Sequence, residues 1–134
     1  FAGLGEKIKA RKLTFKKHSE IIPSIIFKKS SISKFSNISK KGVMIFGSTV
    51  LKSFCNIEDN VFINSGTIIG HHVTIKKHSV ISIGVLIGGR VTIEEDVFIG
   101  MGAKIFQNVC IGKGSIIGAG VVVRKDLKPY SKVI

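Results

Sequence analysis

The 134-residue chain contains no tryptophan, one tyrosine, two prolines and two cysteines, and its eight acidic residues face 21 lysines and arginines. Each scarcity excludes something. The one tyrosine and nine phenylalanines fall mostly inside a repeat, so the basic surface lacks the interleaved aromatics on which single-stranded nucleic acids stack. The longest nearly apolar run, Val80 to Gly89, is well short of the roughly 20 residues that cross a bilayer, which argues against membrane insertion. There is no glycine-rich phosphate loop ending in Gly-Lys-Ser/Thr, and no Ser-His-Asp order is legible. The chain opens on Phe1 with no charged-then-apolar leader; the expectation is a cytoplasmic chain that is a fragment or processed product of a longer one.

What the sequence does have is a strict period of six. Isoleucine stands at 57, 63, 69, 75, 81, 87, 93, 99, 105, 111 and 117, followed by Val123. Four residues after each comes a small or branched residue: Val61, Thr67, Val73, Ser79, Val85, Val91, Val97, Ala103, Val109, Ser115, Val121 and Leu127. Neither a helix (period 3.6) nor an alternating strand (period 2) has this spacing. A parallel β-helix does, because each hexad supplies one short strand and one turn, and stacked hexads bury a continuous aliphatic column. The expected fold is therefore all-β, a hexapeptide-repeat solenoid over residues 23–134, preceded at 1–22 by a remnant strand and a short basic helix.

In that N-terminal segment, residues 1 to 4 read as the end of a strand and Glu6 to His18 as a helix with a poor apolar face, its last turn basic at Lys16, Lys17 and His18. The solenoid frame begins at Ile26, with Ile32 and Ile38 following; one extra residue near Val43 and Met44 shifts it, and Pro129, which has no N–H, ends the last strand. Cys55 faces inward and Cys110 outward, about three coils apart. At about 4.8 Å per coil they are too far apart to bridge, so both are expected to be free thiols. Charge is concentrated early, with twelve Lys or Arg against two Glu in residues 1–56. Such a face could attract phosphorylated molecules or simply be solvated.

Residues 18 apart stack in adjacent coils and so sort the turns into three corners. One carries Glu58, Lys76 and Glu94 beside Asp59, Lys77 and Glu95, alternating charges that read as exposed ladders rather than catalysts. His78 lies on the same corner with Asp96 placed to pair with it, a structural role. A second corner carries Gly66, Gly84, Gly102 and Gly120, either to permit a left-handed backbone or to open a groove for an extended ligand. The third stacks Ser53, His71, Gly89, Gln107 and Lys125, with Phe54, His72, Arg90, Asn108 and Asp126 in the next column. His71 is either a plain surface histidine or a base. Gly89 in the next coil offers an unobstructed N–H beside it, and a base next to an oxyanion donor is the minimum for acyl transfer. His71 and His78 lie on different corners, so no metal site is expected within one chain.

These features together resemble the hexapeptide-repeat sugar acetyltransferases of the sialic acid O-acetyltransferase type, including bacterial enzymes that N-acetylate nucleotide-linked amino sugars. The residues carrying the likeness are Ile63-Asn64-Ser65-Gly66, His71 before Ile75, Ser82-Ile83-Gly84, Gly88-Gly89 and Ile117-Gly118-Ala119-Gly120. It spans nearly the whole chain, the first 17 residues being similar to the last strand and helix of that family's nucleotide-binding-like domain. The resemblance implies a left-handed β-helix, a homotrimer with its active site between neighbouring subunits, acetyl-CoA as acyl donor with no metal, and a sugar or nucleotide-sugar acceptor. By residue it implies His71 as general base, Gly89 N–H at the thioester carbonyl, Asn64 and His72 near the acceptor, and Ser82, Gly84, Gly89, Gly102 and Gly120 along the cofactor. The chain departs from the pattern where His72 replaces the usual carboxylate after the catalytic histidine, where Val80 replaces a histidine, and where Phe27-Lys28 replaces His-Pro. Two other readings of the fold are an inactive trimeric scaffold and a trimeric metalloenzyme of the γ carbonic anhydrase kind, although the two histidines separated by four residues that mark the latter are missing.

Overall fold

The computed structural model describes residues 2–20 and 22–134. Among the described residues, eighteen two-residue strands, all parallel, wind into a solenoid with three flat faces. The first face holds seven strands from Ile25–Ile26 to Lys132–Val133, the second six from Ser31–Ile32 to Val122–Val123, and the third five from Asn37–Ile38 to Cys110–Ile111. Strand partners are 18 residues apart through the regular part, as in Ile63 with Ile81 and Ile69 with Ile87. The period of six thus becomes a three-sided prism.

The core is the stack of inward aliphatics. Ile63, Ile69, Ile75, Ile81, Ile93, Ile99, Ile111 and Ile117 are fully buried, as are Val61, Val73, Val85, Val91 and Val97 from the four-later positions. Each such side chain contributes on the order of 1.5–3 kcal/mol through burial. Hydroxyls in the same column are satisfied: Thr67 Oγ1 donates to Ser82 O (3.1 Å) and Ser79 Oγ to Glu94 O (2.8 Å), so burying them leaves no orphan donor.

At four places the winding departs from the expected frame. The extra residue lies in the turn 39–41, earlier than Val43 and Met44, because Asn37 and Ile38 pair 19 residues ahead with Asn56 and Ile57 while Met44 already pairs with Phe62. After Val123 the coil loses two residues: Leu127 bridges Ile111 and therefore takes an inward strand position, which removes Lys125 and Asp126 from the columns assigned to them. Pro129 does not end the solenoid. It sits in a turn, where its missing N–H costs no ladder bond, and Lys132–Val133 then pair with Ile116–Ile117. At the other end, Ala2–His18 form one helix, α1. Residues 2–4 are helical rather than strand, in keeping with the helix propensity of Ala and Leu; Phe1, the rest of that expected strand, lies outside the described residues. No helix among the described residues is long and apolar enough to cross a membrane.

α1 lies on the charged corner through Ile8, Arg11, Lys12 and Phe15, one helical stripe that is half apolar and half cationic. Arg11 donates to Asn60 Oδ1 (2.9 Å) and stacks over Phe62, Lys12 pairs with Asp96 (2.7 Å), and Phe15 meets His78 edge-on at 5.6 Å. A methyl group at Gly42 would fall 2.9 Å from the Phe15 ring, so the helix seats against a side-chain-free turn. Asp96 is thereby taken by Lys12, and His78 Nδ1 bonds the Asn60 amide (2.9 Å), so the expected His78–Asp96 pair does not form.

Two outcomes are expected. Ile81→Ala, at a fully buried site, should lower unfolding free energy by about 2–5 kcal/mol in a denaturant titration. Burial beneath α1 pulls the His78 imidazole below its ordinary value, with Asp96 opposing. A depressed imidazole stabilises the fold while neutral. That contribution should be present above the unfolded value near 6.5 and lost as pH falls through it toward the folded value, so the melting temperature should fall in that window and His78→Gln should flatten the fall.

Candidate active site

The site is built on the corner where the second face turns into the third. After the strand Ile68–Ile69 the chain turns through Gly70-His71-His72 and re-enters at Thr74–Ile75. The turn is held from both neighbouring coils, because His72 N–H donates to Ser53 O (3.0 Å) and His71 O accepts from Arg90 N–H (2.8 Å). From inside the prism, the buried Cys55 thiol donates to Gly70 O (3.0 Å). The second turn residue takes a left-handed backbone in four consecutive coils, with φ of 63° at Phe54, 56° at His72, 58° at Arg90 and 63° at Asn108. This strained but repeated geometry directs both histidine rings outward.

His71 lies over Gly89. A methyl group there would fall 2.8 Å from His71 Nε2, so the imidazole occupies the space a side chain would need. Gly70 repeats the arrangement, since a methyl on it would fall 2.7 Å from the Gly89 nitrogen. The Gly89 N–H has no acceptor among the described residues, whereas the flanking Gly88 and Arg90 N–H groups donate to Ile105 O and His71 O. His71 Nδ1 is 3.0 Å from His72 Nδ1, which leaves Nε2 as the open edge of the ring. The His71 imidazole and a backbone N–H with no acceptor among the described residues thus stand on one corner.

The other proposed site residues are elsewhere. Asn64 and Ser82 line a cavity of about 340 Å³ on the first face, together with Ile8 and Arg11 of α1 and with Phe62, Val80 and Phe98. Asn64 Oδ1 accepts from Ser65 N–H (2.8 Å). Gly84, Gly102 and Gly120 run along the corner between the first and second faces, each with φ between 65° and 69° and nothing within 4 Å of where a side chain would begin. The left-handed backbone of that column calls for glycine, and the space where each side chain would begin is open. Within one chain, then, His71, His72 and Gly89 come together on one corner, while Asn64, Ser82 and the glycine row belong to another.

On the charged corner the later carboxylates are paired with lysines. Lys76 bonds Glu94 (2.9 Å) and Lys113 bonds Glu95 (2.8 Å), the latter contact holding the Glu95 carboxyl below its ordinary value. Both cysteines are free, and burial pushes their thiols up, away from the reactive thiolate. Sequence reasoning missed the contribution of α1. Its inner stripe alternates Ile8 and Phe15 with Arg11 and Lys12, so an apolar periodicity could not reveal it; the signal available was the pair of cations at the right helical spacing.

Comparison with known proteins agrees with the fold. The family described as bacterial transferase hexapeptide (six repeats) matches residues 90–125. A search of curated protein sequences finds no match. Among solved structures, the chain is similar to PerB from Caulobacter crescentus in complex with CoA and GDP-perosamine, at 25% identity and TM-score 0.88, covering 96% of this chain and 62% of that one. It is similar to a mutant of perosamine N-acetyltransferase from the same organism, also with CoA and GDP-perosamine, at 24% identity and TM-score 0.86, covering 93% and 60%. The acetyltransferase domain of PglB from Neisseria gonorrhoeae in complex with acetyl coenzyme A matches at 23% identity and TM-score 0.86, covering 90% and 60%. The chain spans about 60% of the length of these structures. Its hexapeptide-repeat fold is that of sugar acetyltransferases, the group its own motifs resemble.

Proposed function

We propose that the chain transfers an acetyl group from acetyl-CoA to an amino or hydroxyl group of a sugar or nucleotide-linked sugar, with His71 as general base. The observation that carries this reading is the placement of His71 Nε2 over Gly89, whose N–H has no acceptor among the described residues. The ligands in the similar structures, CoA with GDP-perosamine and acetyl coenzyme A, support the substrate class.

The acceptor nitrogen or oxygen attacks the thioester carbonyl while its proton passes to His71 Nε2. The carbonyl electrons move onto oxygen, where Gly89 N–H stabilises them. The intermediate collapses, the C–S bond breaks, and His71 returns the proton to the departing thiolate. A positioned base is worth on the order of 10² to 10⁴ in rate and one oxyanion donor about 10² to 10³. Attack is direct, since neither thiol is a nucleophile in position.

Asn64 and Ser82 lie on a different corner from His71, so a complete site needs a second copy. In a homotrimer, His71 and Gly89 of one subunit would face the glycine row of its neighbour, with Ser82, Gly84, Gly102 and Gly120 along the pantetheine arm, and Asn64 and His72 toward the acceptor. Outward apolar residues support this assembly: Ile68, Leu86 and Val122 on the second face and Ile83 and Met101 beside the glycine corner are each at least 40% exposed in the single chain.

His71→Ala should reduce acetyl transfer, followed by thiol release from acetyl-CoA with amino sugars and nucleotide-linked amino sugars as acceptors, by about 10² or more while leaving assembly and melting temperature unchanged. Wild-type turnover in that variant would remove the reading. Gly89→Ala should push the imidazole aside and lower kcat by about 10-fold or more, with a smaller effect on acetyl-CoA affinity measured by calorimetry.

A further inference from the structure

The imidazole pair at the histidine corner has a chemistry of its own. His71 Nδ1 and His72 Nδ1 are 3.0 Å apart with the rings at 89° to each other. Two neutral imidazoles can form that contact only if one nitrogen carries the proton and the other offers its lone pair. No carboxylate stands in the stacked turn positions of this corner, which hold Ser53, Phe54, His71, His72, Gly89, Arg90, Gln107 and Asn108. The group set against His71 Nδ1 is therefore His72.

We propose that His72 is the positioning residue for His71. His72 is the neutral acceptor that holds the His71 proton on Nδ1, so that Nε2, over Gly89, keeps its lone pair for the acceptor. This rests on the acetyl-transfer reading above and deepens it, because it adds to the place of His72 near the acceptor a role through His71. As Nε2 takes the acceptor proton, the Nδ1 proton shifts toward His72 and the single positive charge spreads over two rings. It shifts back when His71 protonates the leaving thiolate, so no net proton is gained or lost. The Phe54 ring lies 5.0 Å from His72 at 39°, a face of negative quadrupole against the ring that shares the charge.

The column itself supplies the test variants. Phe54 and Asn108 occupy the position equivalent to His72 in other coils with nearly the same φ, so His72→Phe and His72→Asn should both fold. The Asn carboxamide oxygen can accept from Nδ1–H as the imidazole nitrogen does, whereas Phe cannot. With the full chain, long-range proton–nitrogen NMR of the neutral His71 ring should show the Nδ1–H form in wild type and His72→Asn, and a shift toward Nε2–H in His72→Phe. In the acetyl-transfer assay His72→Phe should lower kcat about 10- to 100-fold with KM for acetyl-CoA unchanged, and His72→Asn should recover most of the loss. A wild-type His71 protonated on Nε2, or a His72→Phe variant that keeps both the Nδ1–H form and wild-type kcat, would overturn the assignment. A wild-type chain with no acetyl transfer would instead remove the reading of function, with the tautomer spectrum still deciding the role of His72.

Discussion

Everything in this protein depends on the stacking of one coil on the next through parallel backbone ladders about 4.8 Å apart. A two-residue strand is too short to be stable by itself. Eighteen of them persist because each is bonded along its face and closes over the same aliphatic column. The stack fixes both the core and the surface, because a residue placed in a turn meets, on either side, the residues 18 before and 18 after it. Chemistry on such a surface is specified by register.

The histidine corner shows what that register achieves. Neither His71 nor Gly89 is unusual alone, and they are far apart along the chain. The ladder bonds from Arg90 N–H to His71 O and from His72 N–H to Ser53 O bring their coils together with little freedom to slide. The missing side chain at Gly89 then becomes space for an imidazole. The same stack separates functions, since the charged corner pairs Glu94, Glu95 and Asp96 with lysines and seats α1 while the glycine corner stays bare.

Much of this was legible in the sequence because period six and period eighteen are local arithmetic. The inward positions, the free cysteines, the Lys76–Glu94 pair and the meeting of His71 with Gly89 follow from counting. Counting fails where the frame changes without an aliphatic marker. The extra residue is absorbed among Ser39, Lys40 and Lys41, all polar, and the two-residue loss after Val123 puts Leu127 in a strand position although its spacing suggested a turn-side one. The partner of Asp96 was also beyond reach, because Lys12 arrives on a helix whose contact stripe is half cationic, and no pattern of hydrophobicity points to it. Asn64 and Ser82 lie on a different corner of the chain from His71. Period eighteen gives neighbours along a corner but does not say which corners meet between copies.

The central claim is that one corner of the repeat holds a base and an oxyanion donor for a thioester lying in a bare glycine groove. A crystal structure of the chain with acetyl-CoA tests it most directly. The account predicts the pantetheine arm along Gly84, Gly102 and Gly120 of one copy, with the acetyl carbonyl oxygen within hydrogen-bond reach of Gly89 N–H and His71 Nε2 of its neighbour. Acetyl-CoA bound instead at the charged corner, or with its thioester remote from Gly89, would contradict it.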